Sequence, residues 1–278
     1  MTRPALAPGL QEELERRQTV VTTGEGGEKP WEDFKKYEAT ERDASRATVA
    51  ATLGTMFHEK CAYCERDEAT EIDHHWPKAP HKRLNRSKGT PAKMFLWSNL
   101  LLSCTYCNGF RCKGAHMQWD AHGRAKLLDP SAEGDDPLCY FRIQTKSTPS
   151  FAKGWMDIRE GLRPAAAERA RYTQDRMKLN KREARVRARA GTIDSFCMAL
   201  ACLHQGGPDG TAPNGLSTRG HFANLLNAKM PHLAPIPQLL RETPRLRQAL
   251  LTSMPELEPL INQWDLPPDD CTALRAAP

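Results

Sequence analysis

The chain has 278 residues, which is long enough for one large domain or two smaller ones with a buried core. Its formal net charge of +6 favours a polyanionic partner without requiring one. No apolar run approaches the roughly 20 residues that span a bilayer, and the N-terminal residues lack the apolar segment of a secretory signal. Together with an odd count of nine cysteines, these features predict a protein of the reducing cytoplasm with no membrane segment.

Residues 1–60 are predicted to form a helical N-terminal segment. Residues 11–17 have a polar helical pattern, and the glycine-rich stretch 22–30 is expected to end that helix. A second helix is predicted over residues 40–60, because apolar side chains recur there at helical spacing. That helix would lead the chain directly to the first cysteine pair.

Two Cys-x-x-Cys pairs follow, formed by Cys61 with Cys64 and by Cys104 with Cys107. Each pair can place two thiolates on one ion from a tight turn, and two such turns complete the tetrahedral four-sulfur shell that Zn²⁺ prefers. The sequence therefore predicts a structural zinc site, with redox chemistry as the minor alternative. The other five cysteines show no paired spacing, and we expect them to be small buried residues.

The segment between the two pairs is predicted to contribute strands. Residues 71–76 are β-branched and aromatic in part and are ended by Pro77, which indicates a short strand. Residues 78–91 form a basic insertion, and the apolar residues 95–103 lead into the second cysteine turn. A helix is expected to open after Asn108. Residues 61–160 would form the zinc-bound core with a β extension that includes the strand-like residues 138–143.

Residues 161–278 are predicted to be mainly helical. We expect one or two long helices over residues 165–203, a flexible break at 205–210 and further helices over 216–260. Residues 169–189 are strongly basic, so this stretch could either lie along phosphates or form a solvated helix face. This C-terminal region could serve docking of a partner or of nucleic acid.

Asp73 and His74 lie between the two cysteine pairs and carry a different chemistry from that of the thiolates. A carboxylate oxygen suits a hard ion such as Mg²⁺. An imidazole that titrates near neutrality can take a proton from an attacking water. The alternative is that both groups are only structural parts of a zinc-ribbon module.

In order, the motifs Cys-x-x-Cys, Asp-His before a proline, Asn-Leu and Cys-x-x-Cys-Asn resemble the HNH endonuclease superfamily. The resemblance implies an α+β fold with a zinc-stabilised ββα-metal core, here with mostly helical flanks. It implies that Asp73 and Asn108 bind a catalytic Mg²⁺ or Mn²⁺ ion and that His74 is the general base. Asn99 would hold the loop that presents the base.

Three basic residues are expected to contact nucleic acid: Lys78, Arg111 and Lys113. Arg111 or Lys113, predicted on the helix after Asn108, could also supply positive charge near the transition state. Cys112 interrupts this basic run and leaves the identity of that cation open.

The flanking motifs are CAYCE at the first cysteine pair, HxWPK from His74, WSNLLLSCxYCNGFRCKG around the second pair, and LLDP followed by DDP. They resemble those of the PtuB-type HNH nucleases of Septu anti-phage systems and some retron operons. These nucleases occur beside an ABC-type ATPase called PtuA. The similarity is concentrated in residues 61–143. It implies an antiviral effector that cleaves nucleic acid, with DNA favoured and RNA still open, and that acts with such an ATPase.

Several alternatives remain open. His75 stands where common relatives have an aromatic or hydrophobic residue, so it could pack in the core or contact a metal or a phosphate. The chain could also be a stand-alone restriction or homing-type HNH enzyme, or a zinc-dependent nucleic-acid binding module without catalysis. The cleavage preference, the activating trigger and the oligomeric state do not follow from the sequence.

Overall fold

A computed structural model describes most of the chain, namely residues 3–24, 30–31, 34, 44–67, 69–78, 91–114, 117–120, 123–132, 134–148, 152–211, 215–227 and 235–262. The chain divides into two compact units. Unit one contains residues 1–136 with 168–177, and unit two contains residues 137–167 with 178–278. This division does not coincide with the expected boundaries at residues 60 and 160, and the predicted N-terminal segment lies in the same unit as both cysteine pairs.

Unit one begins with helices α1 (Pro8–Thr23) and α2 (Ala44–Met56). Helix α1 has a proline in its first turn and ends at Gly24, whose φ of 76° is left-handed and suits glycine. The expected helix over residues 11–17 and its glycine stop are confirmed. The second predicted helix is confirmed over Ala44–Met56, but it ends before the expected residue 60: residues 57–60 form turns, and His58 and Glu59 have positive φ angles of 53° and 62°. Residues 40–43 lie outside the described residues.

A two-stranded antiparallel hairpin carries the segment between the cysteine pairs. Strand β1 (Glu71–His74) pairs with strand β2 (Leu100–Ser103), so that Asp73 faces Leu101 and His74 faces Leu100 across the ladder. Turns of 3₁₀ helix at Pro91–Lys93 and Trp97–Asn99 precede β2. The predicted basic insertion falls mainly on residues 79–90, which lie outside the described residues.

The one-turn helix α3 (Thr105–Asn108) follows β2. The expectation that a helix opens after Asn108 is wrong, because residues 109–114 form turns instead. Two glycines account for this. A Cβ atom on Gly109 would lie 2.8 Å from the Thr105 carbonyl oxygen, and Gly114 has a positive φ of 46°. Lys113 therefore lies in a compact loop rather than on a helix.

The core of unit one joins both N-terminal helices to the hairpin. Helix α2 packs against β2, and helix α1 packs against the 3₁₀ turn at Pro91–Lys93. The buried apolar side chains of this core include Leu14, Trp31, Phe34, Val49, Leu53, Phe95, Leu100 and Leu101. Burial of these side chains fixes the hairpin to both N-terminal helices.

Unit two starts with helix α4 (Pro137–Tyr140) and the antiparallel pair β3 (Phe141–Ile143) and β4 (Met156–Ile158). The strand predicted over residues 138–143 is thus wrong in its first half, where Pro137 starts a helical turn instead. The Gln238 side chain donates to the Ile143 carbonyl and accepts from its N–H, which fixes β3 to a later helix.

The remaining helices are α5 (Pro164–Arg176), α6 (Glu183–Gly206), α7 (Thr218–Leu225), α8 (Pro235–Glu242), α9 (Pro244–Ser253) and α10 (Glu258–Asn262), with a 3₁₀ turn at Pro255–Leu257. Helix α5 begins in unit two, and its residues from 168 onwards belong to unit one. The predictions of two long helices, of the break near residue 206 and of the later helices are confirmed. The overall class is mixed α+β with small sheets, as expected.

The basic stretch 169–189 is in part an internal scaffold. Arg185 and Arg189 are buried, and the Arg189 guanidinium donates to the carbonyl oxygens of Gly154 at 2.6 Å and of Leu179 at 2.9 Å. These two arginines therefore do not present their charge to phosphates. Arg187 is exposed and pairs with Glu183, as on an ordinary solvated helix face.

Of the cysteines outside the two pairs, Cys112 is buried and not disulfide-bonded, and its thiol donates to the Met177 carbonyl oxygen at 3.5 Å. Cys139 is also buried, but it is disulfide-bonded, so the expectation of five ordinary thiols is wrong at this position. Cys197 is exposed and Cys202 is half-buried, while Cys271 lies outside the described residues.

Within the part of the chain that the structure describes, no helix is both long enough and apolar enough to cross a membrane.

Candidate functional site

Four buried cysteine side chains meet beside the hairpin. The Sγ atoms of Cys61, Cys64, Cys104 and Cys107 all lie within 4.8 Å of one another, and those of Cys64 and Cys104 are 3.9 Å apart. Tetrahedral Zn²⁺ with Zn–S bonds of about 2.3 Å would separate its sulfurs by about 3.8 Å. The cage could therefore hold a zinc ion, as the two sequence motifs predict.

Backbone hydrogen bonds fix both cysteine turns to the hairpin. The Cys61 N–H donates to the Arg66 carbonyl at 2.8 Å, and the Ala62 N–H donates to the Leu102 carbonyl at 2.9 Å. Glu65 takes a left-handed φ of 58°, which closes the first turn. The second turn begins directly after β2. The backbone thus holds both pairs of sulfurs against the hairpin.

The crowding of the thiols changes their acidity. A hydrogen bond with Cys104 is the main cause that raises the pKa of Cys61, and one with Cys107 is the main cause that lowers the pKa of Cys104. The pKa of Cys107 is raised, chiefly by Cys104. One thiolate is favoured while its neighbours resist ionisation, so a cation is needed for all four to be thiolates.

Asp73 is buried near the end of β1, and both of its carboxylate oxygens have partners. The Tyr63 hydroxyl donates to Oδ2 at 2.8 Å, and the Lys113 ammonium donates to Oδ1 at 2.8 Å. The same ammonium also donates to the His74 carbonyl oxygen. The carboxylate is therefore held in one orientation by a phenol and a cation.

Lys113 was expected to contact nucleic acid, but its side chain is only 1% exposed. A buried ammonium paired with Asp73 is not positioned to contact a phosphate from the surface. The loop between Gly109 and Gly114 turns this lysine inward: the Lys113 N–H donates to the Cys107 carbonyl at 3.1 Å, which anchors the loop to the second cysteine turn.

His74 points to a different environment. Its Nε2 atom lies 2.9 Å from the Met94 carbonyl oxygen, and its ring meets the Trp31 ring edge-on with centroids 4.3 Å apart. Because a carbonyl only accepts, Nε2 carries the proton in the neutral ring and Nδ1 is the basic nitrogen. That tautomer suits a proton acceptor.

Asn99 locks the segment that follows Asp73 and His74. Its Oδ1 accepts from the Trp76 N–H at 2.6 Å, and its Nδ2 donates to the carbonyl oxygens of Lys93 at 2.8 Å and Trp76 at 3.2 Å. The Asn99 carbonyl also accepts from the His75 N–H at 2.9 Å. One buried side chain thus joins the end of β1 to the 3₁₀ turns before β2.

The other predicted site residues are less enclosed. Asn108 is half-buried at the end of α3, which lies against β1. Arg111 is exposed, and the Lys78 ammonium stacks over the Trp31 ring, 5.1 Å from its centroid. Because Trp31 also contacts His74, a positive charge lies one ring away from the predicted base.

His75 is buried, and no described group hydrogen-bonds to its Nδ1 atom. Burial is the main cause that lowers the pKa of His75, while the negative charge of Asp129 acts in the opposite direction. Asp129 and Asp135 come from the Asp-Pro motifs of residues 129–137, whose role the sequence left undefined. Asp135 makes a two-armed ion pair with Arg169, and Asp129 accepts from Ser131.

Sequence reasoning did not identify Tyr63 as a partner of Asp73, and it did not predict the ion pair between Lys113 and Asp73. Tyr63 lies inside the first cysteine motif, where attention falls on the sulfurs. Its pKa is raised well above the ordinary value, mainly by burial and then by the Asp73 charge, so the phenol remains a hydrogen-bond donor near neutrality. No local pattern connects either residue with Asp73.

Comparison with known proteins gives one relationship. No family model matches the chain. The chain is 28% identical over 156 residues to the Septu protein PtuB of Bacillus mycoides (strain KBAB4), and the match covers 48% of this chain and 51% of that protein. The chain thus spans about half the length of the curated relative it matches. This similarity supports a Septu-like relationship for the chain.

Proposed function

We propose that the chain is a metal-dependent HNH endonuclease that hydrolyses phosphodiester bonds of nucleic acid, most readily DNA, as the effector of a bacterial anti-phage system. The observation that carries this proposal is the pair Asp73 and His74. Both are buried at the end of β1, Asn99 locks the segment that follows them, and β1 contacts the one-turn helix that carries Cys107. The PtuB similarity agrees with this reading at the level of a Septu-like relationship.

In the proposed reaction, His74 is the general base. Its Nε2–H donates to the Met94 carbonyl, which fixes the ring and makes Nδ1 the nitrogen that would accept a proton from water. The water oxygen bonds to phosphorus, and the phosphorus–oxygen bond on the opposite side breaks. The leaving oxygen takes a proton from solvent, and His74 then releases its own.

Asp73 and Asn108 are the proposed ligands of a catalytic Mg²⁺ or Mn²⁺ ion. Carboxylate and amide oxygens suit these hard ions, and the buried, doubly hydrogen-bonded Asp73 is a fixed anionic anchor that fits one. When bound, such an ion would neutralise charge on the phosphate and on the leaving oxygen. Tyr63 and Lys113 hold the Asp73 carboxylate in place.

Arg111 and Lys78 are the proposed contacts to the substrate backbone. Arg111 is exposed in the loop after Asn108, and Lys78 lies over Trp31 beside the base. Phosphate contacts of this kind position a duplex without reading its sequence. Binding should therefore weaken as the salt concentration rises.

An ABC-type ATPase is the proposed partner. The resemblance to PtuB-type nucleases motivates it, and unit two, with its own apolar core and small sheet, offers more structure than a hairpin nuclease needs. If the chain acts with such a protein, the two should copurify from cells that express both genes. Failure to copurify would leave the nuclease proposal intact and would support a stand-alone enzyme.

The direct test is cleavage of plasmid DNA and of total RNA by the purified chain with Mg²⁺ or Mn²⁺, with and without the ATPase. We expect cutting that disappears with EDTA. Zinc content is measured in the same samples, so that loss of the catalytic ion is separated from collapse of the cysteine cage. Absence of cutting under every condition would refute the nuclease proposal.

A zinc-dependent binding module without catalysis is the second candidate. The buried Lys113–Asp73 ion pair favours it, because the carboxylate already has a cation. This candidate predicts nucleic-acid binding that is unchanged by EDTA under conditions that leave the zinc in place, and no uptake of Mn²⁺ by the zinc-loaded protein.

A further inference from the structure

His75 directly follows β1, and its backbone continues the hairpin by one pair. The His75 N–H donates to the Asn99 carbonyl at 2.9 Å, next to the paired residues His74 and Leu100. Side chains alternate between the two faces of a strand, so residue 75 shares the face of Asp73 and not that of His74. The His75 ring is also within electrostatic range of Asp73 and Lys113.

The environment of the His75 ring lacks the partner that a core histidine normally has. Its side chain is 2% exposed, and among the described residues no group hydrogen-bonds to Nδ1. Leaving a buried polar atom without a partner costs about 1–3 kcal/mol. A core packing role alone does not explain why a histidine occupies this position, since an aromatic or aliphatic side chain would avoid that cost.

The charges around the ring favour a cation as the missing partner. The strongest charge effect on His75 comes from Asp129, a carboxylate whose described hydrogen bonds come from the Ser131 hydroxyl and N–H. Asp73 and Asp135 add negative potential, and Lys113 opposes it. The charge of Asp73 is countered by Lys113 and that of Asp135 by Arg169, so the negative potential that favours a cation over a phosphate comes mainly from Asp129, whose described hydrogen bonds are to neutral groups.

We propose that His75 is a nitrogen ligand of the divalent ion that Asp73 binds, so that the centre has mixed oxygen and imidazole ligands. This inference rests on the proposed nuclease function and names a ligand beyond Asp73 and Asn108. The two ligands come from one face of one strand, which explains why residue 75 is a histidine. An imidazole ligand shifts preference from Mg²⁺ towards Mn²⁺ or softer ions.

The test uses the zinc-loaded full chain with Mn²⁺ as the probe. Electron paramagnetic resonance detects bound Mn²⁺, and pulsed measurements detect hyperfine coupling to a ¹⁴N nucleus in its ligand shell. We expect this coupling in the wild type and its replacement by a ¹⁵N signal when the histidines are ¹⁵N-labelled. That labelled measurement needs no variant, so it remains informative even if substitutions disturb folding.

Two variants identify the ligand. His75→Gln should lose the nitrogen coupling and weaken Mn²⁺ binding at least about 10-fold, while His74→Gln, which alters the opposite face, should keep the coupling. Thermal unfolding and zinc content check that both variants are folded. The inference is overturned if Mn²⁺ binds without nitrogen coupling, or if the coupling persists in His75→Gln.

The same samples separate this inference from the function on which it rests. If the wild type takes up no Mn²⁺ and cuts no nucleic acid, the proposed nuclease function fails together with its metal ligands. If the wild type binds Mn²⁺ and cuts with oxygen ligands alone, the nuclease stands and only the role of His75 is refuted.

Discussion

At the scale of single residues, the buried ion pair between Lys113 and Asp73 is the contact on which the geometry of the site depends. The two side chains are 1% and 4% exposed, and their atoms are 2.8 Å apart. Removing one partner of such a pair leaves an uncompensated buried charge, whereas replacing both partners by neutral groups costs much less.

Lys113→Met should therefore lower the free energy of unfolding by about 3–5 kcal/mol, and the double variant with Asp73→Asn should recover part of that loss. Urea unfolding of both variants measures the difference. Lys153→Met is the matched control, because its pair with Asp194 is largely exposed and should contribute about 1 kcal/mol or less. Equal effects at positions 113 and 153 would contradict the assigned burial.

Asn99 makes a second residue-level prediction. Asn99→Ala removes three side-chain hydrogen bonds and leaves the Trp76 N–H without its partner, so stability should fall by about 2–4 kcal/mol. Asn262→Ala, which removes one exposed bond to Arg247, should change stability by less than about 1 kcal/mol. A near-neutral Asn99→Ala would show that the loop after β1 is held by other contacts.

At the scale of elements, the cysteine cage and the hairpin stabilise one another. The first cysteine turn is hydrogen-bonded to β2, and the second turn leaves β2 directly. We expect one zinc ion per chain by elemental analysis, and a large fall in melting temperature when a strong chelator removes it. Cys107→Ser should lose the zinc, whereas Cys197→Ser, at an exposed position, should retain it. Zinc-free protein with an unchanged melting temperature would refute a structural ion.

Two glycines, Gly154 in the turn before β4 and Gly191 in helix α6, test the packing of unit two. A Cβ atom on Gly154, which has a φ of 83°, would lie 2.3 Å from the Val186 carbonyl oxygen and 2.8 Å from the Ala190 N atom, both in α6. Gly154→Ala should therefore destabilise the protein. A Cβ atom on Gly191, inside α6, would meet nothing within 4 Å, so Gly191→Ala should raise the free energy of unfolding by up to about 1 kcal/mol.

Thermal unfolding of the two alanine variants measures this contrast. The opposite order of melting temperatures, with Gly154→Ala the more stable, would contradict the close approach of the residue-154 loop to α6.

The elements that the sequence predicted correctly are those with local signals. The Cys-x-x-Cys turns, the glycine stop after α1 and the short strand before Pro77 each depend on neighbouring residues. The Asp73–Lys113 pair joins residues 40 positions apart and depends on how Gly109 and Gly114 fold a loop. The prediction of a helix after Asn108 was wrong for the same reason. It did not include the extended backbone of Gly109 and the positive φ of Gly114.

Burial limited the prediction of charged residues in a similar way. The sequence marks Arg185, Arg189 and Lys113 as basic, but it does not show which cations face inward. Arg189 binds two backbone carbonyls of unit two, and Lys113 binds Asp73. For His75, the sequence left open whether the side chain packs in the core or contacts a metal or a phosphate. That its Nδ1 atom is buried and has no hydrogen-bond partner among the described residues is visible only in three dimensions.

At the scale of the whole molecule, the proposed chemistry and the proposed partner docking are assigned to different units. The cysteine cage and the predicted catalytic residues lie in unit one, whereas most of unit two is helical and follows the residues that carry the family resemblance. A natural expectation is that unit two binds the partner ATPase while unit one cleaves. Copurification of the full chain tests whether the ATPase binds, and loss of copurification on substitution of exposed residues of unit two alone would assign the docking to that unit.

The central claim is that His74 drives metal-dependent hydrolysis, and the most direct measurement compares cleavage by His74→Ala and His204→Ala with the wild type. His204 is an exposed histidine of α6 and serves as the matched control. With Mn²⁺ and the ATPase present, we expect His74→Ala to lose at least about 100-fold in rate with nucleic-acid affinity retained, and His204→Ala to keep its rate. Wild-type rates in His74→Ala would contradict the account.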